Sequence, residues 1–242
     1  MNTVKVSRSG TSRKTAIIVG VLYIVGTVAG VLSVVFAGSI LNDPDYLIKI
    51  SANENQIVIG SLLVLTMGLS LAMMSIMLFP ILKKHNEALA LGVVVFRGAL
   101  EAVIYIAVAI SWLLLLTVGQ EYVKAGAPDA SYFQTLGTLL LKSSDQIGSI
   151  LDIVFSLGAL MIYYLFYQSQ LVPRWLSVWG LIGAILYLAS GLFAMFSVDF
   201  GILEAPLALQ EMVLAVWLIV KGFNLSPIID NVGSAQVAIS PA

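Results

Sequence analysis

The chain has 242 residues, of which 60% are hydrophobic and 10% charged, and its formal net charge is −1. A soluble domain carries about a quarter charged residues, so these polar groups cannot cover a globular surface and the apolar excess must face lipid. The near-zero charge gives no basic field to draw nucleic acid. With no cysteine and the single His85, there are no disulfides, thiolate nucleophiles or histidine-rich metal sites.

Along the chain, Lys5, Arg8, Arg13 and Lys14 precede an apolar run from Thr15 to Leu41. A secretory signal peptide has an apolar region of only about 7–15 residues. The run is longer than that and reads as an uncleaved first span, although Val35-Phe36-Ala37 imitates a cleavage site. A spanning helix needs about 20 mostly apolar residues. Six stretches qualify: 15–40, 57–82, 89–118, 147–168, 175–197 and 206–223. Breakers separate them at Asn42-Asp43-Pro44, Lys83–Glu87, Gly126-Ala127-Pro128-Asp129, Pro173-Arg174 and Glu204-Ala205-Pro206. The expected fold class is all-α, an integral membrane bundle of six transmembrane helices. Residues 1–14 form an N-terminal cytoplasmic segment, 15–223 the membrane domain, and 224–242, with Pro227 and Pro241, a disordered cytoplasmic tail.

Two connecting segments carry helical signals of their own. Asp43 can cap a short helix that has Pro44 at its first position. In Ser131–Leu141 the residues Tyr132, Phe133, Leu136, Leu139 and Leu140 fall on one face, which suggests a helix lying on the outer interface. Lysine and arginine collect on the cytoplasmic side of a membrane protein. Here Lys5, Arg8, Arg13, Lys14, Lys83, Lys84, Arg174 and Lys221 share the side of the N-terminus, against Lys49, Lys124 and Lys142 opposite. Both termini are therefore expected in the cytoplasm. Tyr163, Tyr164, Tyr167, Trp175, Trp179 and Trp217 form the expected aromatic belt on that side.

Four ionisable residues fall within the spans: Arg97, Glu101, Asp152 and Glu211. Each costs about 2.5–3.5 kcal/mol at the centre of a lone helix, so it must be paired, neutralised or hydrated. Arg97 and Glu101 are four apart and can pair on one helix face. One arginine cannot neutralise three carboxylates, so at least one of these acids is expected to be protonated or reached by water. On the fourth span Asp145, Ser149, Asp152, Ser156, Ala159, Tyr163 and Tyr167 draw a polar and small stripe that should face the bundle interior. Gly26, Gly30, Ser61, Gly68, Ser75, Gly180 and Gly183 read as close-packing positions on other spans.

Two readings of the charges stay open. In one, Arg97 and Glu101 are a buried tie with Arg97 reaching toward the inner interface. In the other, Arg97, Glu101, Asp152, Ser149, Ser156 and Glu211 line a polar cavity in which a carboxylate binds a cation or relays a proton. Glu211 adjoins Gln210 and reads as a hydrated helix end near the outer surface. The chain carries no nucleophile elbow, zinc-protease motif, phosphate-binding glycine loop or dinucleotide fingerprint, so no catalytic residues, enzyme activity, metal or cofactor are expected.

Three stretches, Ala16–Ile24, Val95-Phe96-Arg97-Gly98 and Tyr167–Ser177 with its Pro173-Arg174 turn, resemble a bacterial membrane family catalogued as a domain of unknown function, DUF4386. The resemblance covers roughly residues 13 to 223. It implies a helical bundle in the bacterial cytoplasmic membrane, makes Arg97 and the Pro173-Arg174 turn family features, and implies no activity. Three classes of function follow: a protein that binds or moves a small solute or proton, a non-catalytic accessory or sensory protein, and a lipid-acting enzyme. The only partner implied outright is the lipid bilayer; a small-molecule or proton ligand belongs to the first class, and oligomeric state is unmarked.

Overall fold

The computed structural model describes residues 2–125 and 130–224, with side chains described over 12–125 and 131–224. Helix α1 runs from Asn2 to Ser33, winds through a π segment at Val34–Gly38 and closes at Ser39–Leu41. A short α2 (Tyr46–Ala52) leads into α3 (Glu54–Leu82). Helix α4 comprises Glu87–Val93, a π segment Val94–Leu100 and Glu101–Ala125. Helices α5 (Ala130–Ser169) and α6 (Arg174–Ala194) follow, and α7 enters through a 3₁₀ turn at Gly201–Glu204 and runs over Ala205–Val220. Six of these are long and apolar enough to cross a membrane, the shortest being Gly201–Val220. The breaker Gly126–Asp129 and the tail from 225 to 242 lie outside the described residues.

The spanning helices pack in sequence order: α1 on α3, α3 on α4, α4 on α5, α5 on α6, α6 on α7, and α7 back on α1. They form a closed ring with α4 and α7 on opposite sides. Lipid drives no helix association, so contact depends on side chains small enough to let backbones meet. Gly20 sits where a Cβ would lie 2.6 Å from the Ala215 carbonyl oxygen, closing the ring between α1 and α7. Gly183 does the same against Leu207 on α7, and Gly68 accepts the Tyr105 ring of α4.

The ring is filled unevenly along its axis. Toward the N-terminal end it is dry: Ala16, Val19, Leu78, Leu82, Ala90, Leu165, Phe166 and Leu218 are fully buried in one apolar core. That end is also clipped. The Arg13 guanidinium donates to the carbonyls of Leu218 (3.1 Å), Ile219 (2.7 Å) and Val220 (3.1 Å), which have no helical partners at the end of α7. Gly222, at φ 77°, takes the left-handed turn that ends α7 beside Arg13.

Several expectations change. Ser131–Leu141 is not a separate surface helix but the first turns of α5, because no breaker follows it and Ser143 bonds back to the Leu139 carbonyl at 2.9 Å. A helix of 40 residues spans about 60 Å, so α5 projects well past the hydrocarbon layer. There Gly137 packs on Tyr46 and Leu47 of α2. The α2 helix begins at Tyr46 rather than at Pro44, and Asp43 caps the turn before it by accepting the Asp45 amide at 2.9 Å. Lys49 and that amide together hold the Asp43 carboxyl below the usual carboxylate range. Tyr163 leaves the aromatic belt: it is 1% exposed and lies flat on Gly180. Trp175, Trp179 and Trp217 do cluster, with ring centroids 6.4 Å apart.

Arg13→Ala removes hydrogen bonds from a charged donor, each worth about 1.5–3 kcal/mol at most, so the detergent-purified protein should lose roughly that much unfolding free energy. Arg13→Lys should recover part of it. Unchanged unfolding in Arg13→Ala would show that the two ends are not clipped.

Candidate functional site

Arg97 lies within the π segment of α4, where the i→i+5 winding interrupts the regular helix. Its side chain is 0% exposed. Nη1 donates to both oxygens of Glu101, at 3.2 and 3.1 Å, and Nη2 reaches across the ring to Glu211 Oε1 at 3.0 Å. One guanidinium therefore joins helices on opposite sides of the bundle. The Phe155 ring of α5 lies 4.2 Å from the guanidinium carbon, a cation–π contact. Gly158, one turn further along α5, leaves the space the arginine stem occupies, since a Cβ there would come within 2.4 Å of Arg97 Cγ. The hydroxyls of Tyr23 and Tyr163 approach the guanidinium and each other, yet neither they nor Arg97 Nε meet hydrogen-bond geometry.

On the far side of Phe155 the lumen opens. A cavity of about 1000 Å³ occupies the half of the ring away from the N-terminus. Helices α1, α3, α4, α5 and α6 contribute Ser33, Met67, Tyr105, Trp112, Asp152 and Tyr187 to its wall, and Lys142, Asp145 and Asp199 stand toward its mouth. The α5 stripe supplies its polar side. Ser149 and Asp152 line it, Gly191 lets α6 approach the Asp152 Cβ, and the Tyr187 hydroxyl stands beside the carboxylate. Glu204, at the head of α7, adds a second negative charge near Asp152 and accepts the Ser190 hydroxyl at 2.9 Å. Tyr105 and Tyr187 form the floor. Tyr105 adjoins Glu101 below, and Tyr187 packs on Phe155 with centroids 4.7 Å apart.

Residues 18–222 match the family described as Domain of unknown function (DUF4386). The chain belongs to the DUF4386 family. No curated protein and no solved structure matches the chain. Membership brings no chemistry with it, so any role for this DUF4386 chain has to come from its own side chains.

The six residues read from the sequence as one cavity divide into two groups. Ser149 and Asp152 face open space. Arg97, Glu101 and Glu211 are sealed beneath it, and Ser156 is fully buried with its hydroxyl on the Asp152 carbonyl at 2.7 Å. Arg97 does not reach for the inner interface; it is held at the centre by two carboxylates and a ring. Glu211 is not a hydrated helix end. It lies ten residues into α7 from Gly201, about 15 Å deep, and is 9% exposed. Its neighbour Gln210 is likewise internal and donates to the Leu176 carbonyl at 3.0 Å. Sequence reasoning missed Tyr105, Trp112 and Tyr187. The spacing of Tyr105, Val108 and Trp112 repeats an inward face of α4, and Tyr187 lies on α6 in the same half of the membrane as Asp152.

Removing one member of a buried ion group leaves an uncompensated charge, at about 3–5 kcal/mol, whereas replacing the whole group with apolar side chains is often neutral or stabilising. Arg97→Met should therefore be strongly destabilised. Arg97→Met with Glu101→Leu still strands Glu211, and only the triple change adding Glu211→Leu should return unfolding stability to near the original. Gly158→Ala should also destabilise by displacing the arginine stem. An Arg97→Met protein as stable as the parent would refute the tie.

Proposed function

We propose that this protein binds and translocates a small solute or proton at the bacterial cytoplasmic membrane, with both termini in the cytoplasm and the Asp152 cavity open to the outside. One observation carries the reading: a large cavity in the half of the ring away from the N-terminus has an intramembrane carboxylate, Asp152, in its wall, and that carboxylate forms no salt bridge among the described residues. Intramembrane ionisable groups mark solute and ion pathways more often than they serve packing. The packing role is already filled by Arg97, Glu101 and Glu211. That leaves Asp152 as the group free to meet a ligand.

The orientation rests on charge. Arg13, Lys14, Lys83, Lys84, Arg174 and Lys221 share the dry end, and cytoplasmic loops carry the excess of lysine and arginine. The cavity would then be outward-open, with the floor of Tyr105 and Tyr187 and the Arg97 tie forming the inner gate. Alternating access would require these to part. The π segment that carries Arg97 is a natural place for α4 to rewind, because such turns are strained relative to a continuous α-helix. No catalytic step is part of this reading.

The test is flux in proteoliposomes, measured for protons and for a panel of cationic, neutral and anionic small solutes. Asp152→Asn should lower or abolish flux of at least one species while leaving thermal unfolding in detergent nearly unchanged. If wild type and Asp152→Asn behave alike across the whole panel, the reading fails.

A further inference from the structure

We infer that the ligand of the outer cavity is a monovalent organic cation, an alkylammonium or quaternary ammonium, held by the Asp152 carboxylate and the aromatic wall of Tyr105, Trp112 and Tyr187. This rests on the reading that the cavity is the solute site and adds the chemical class of the solute.

Charge comes first. The cavity wall carries Asp145, Asp152 and Asp199 against Lys142 alone. Lys142 lies ten residues from Asp152 along α5, about 15 Å away by helix rise, is exposed, and makes no salt bridge with it. Glu204, also negative, acts on Asp152 from the head of α7. An anion entering this space meets an excess of negative charge, and a neutral solute gains nothing from the charge of the carboxylate. A cation is favoured on both counts.

The kind of cation follows from the other walls. Divalent calcium takes six to eight oxygen ligands, and magnesium a near-ideal octahedron. Among the described residues no three acidic or histidine side chains converge on a point, so the cavity offers no cluster of carboxylates for such a shell. Within the membrane it supplies the Asp152 carboxylate and three aromatic rings instead, with Asp145 and Asp199 toward the mouth. Aromatic rings attract ammonium groups through their quadrupole and tolerate alkyl substituents that hydrogen-bond donors would not, which is how cages for quaternary ammonium ions work. Size agrees. A volume of about 1000 Å³ is at the upper end for small-molecule sites and far larger than a bare ion needs. The Tyr187 hydroxyl stands beside Asp152 and carries no charge to neutralise it.

The experiment uses three probes of one shape and different charge: choline, its neutral isostere 3,3-dimethylbutan-1-ol and the anion 3,3-dimethylbutanoate, with tetrapropylammonium as a larger cation and calcium as the inorganic control. Binding to the full-length protein in nanodiscs is measured by calorimetry or by displacement of labelled choline. The cations should bind and the isosteres should not. Asp152→Asn should weaken cation binding by roughly 10–100-fold, the loss expected when the carboxylate of a close ion pair is neutralised, and Trp112→Leu by about 2–30-fold. If Asp152→Asn does not fold, Asp152→Glu and Tyr187→Phe carry the same test, each with a smaller loss. Binding of the neutral or anionic isostere as tight as choline overturns the cation class while sparing the cavity as the solute site. Calcium displacing choline at lower concentration overturns the organic character of the ligand. Absence of binding by every cation overturns the proposal. Identical flux in wild type and Asp152→Asn across the whole panel overturns the parent reading and this one with it.

Discussion

Everything above and below the middle of this bundle is arranged around one guanidinium with two carboxylates. A ring of six helices in lipid has no hydrophobic drive to fill its own centre, and an empty lumen would forfeit the contacts that hold the helices together. Arg97 solves this with a long planar side chain that reaches from α4 to α7, accepted by Glu101 on its own helix and by Glu211 across the ring. Arginine suits the place because its fork satisfies two carboxylates at once and stays charged. The cost of burying three charged groups is offset only because they are buried together.

That tie also divides the molecule. Below it the core side chains are apolar and fully buried. Above it serine, aspartate, aromatic and aliphatic side chains surround open space. The glycines mark the division closely: Gly158 admits the arginine stem, and Gly191 brings α6 against Asp152. Neither could be replaced by a larger residue without moving a charged side chain, so packing and electrostatics are set by the same positions. A sealed half and an open half on one axis give the bundle a direction, which is what a solute-handling role requires of it.

Much of this was legible in the sequence. Length and hydropathy located all six spans within a few residues, apart from the long ends of α4 and α5, and the inward stripe of α5 followed from spacing between Ser149 and Tyr163. Its ends do not keep to that face: Asp145 is exposed and Tyr167 turns outward at 41% exposed. The pairing of Arg97 with Glu101 was legible because it lies within one helix. Its pairing with Glu211 was not, since a contact across 114 positions depends on which helices face each other around the ring. Counting inward from a helix end also misled where the end was misjudged: the 3₁₀ turn at Gly201–Glu204 extends the sixth span outward and puts Glu211 deeper than it reads. The π segments left no trace in composition, because they arise from packing and not from a breaker residue. Tyr163 read as an interface residue because tyrosine is common there, yet the glycine facing it from α6 made a buried slot.

The central claim is that water and ligands reach Asp152 from one side only and stop at the level of Phe155. Because the chain has no cysteine, each introduced thiol reports one position. Gly148→Cys and Asp152→Cys line the cavity, and a side chain at 148 meets nothing within 4 Å. Ser156→Cys and Ala159→Cys continue the same stripe beneath the floor. A membrane-impermeant maleimide applied to oriented vesicles should label the first two from the side opposite the N-terminus and leave the second two unreacted from either side. Labelling of Ser156→Cys and Ala159→Cys as fast as the upper pair, or labelling of Asp152→Cys from the N-terminal side, would contradict the account.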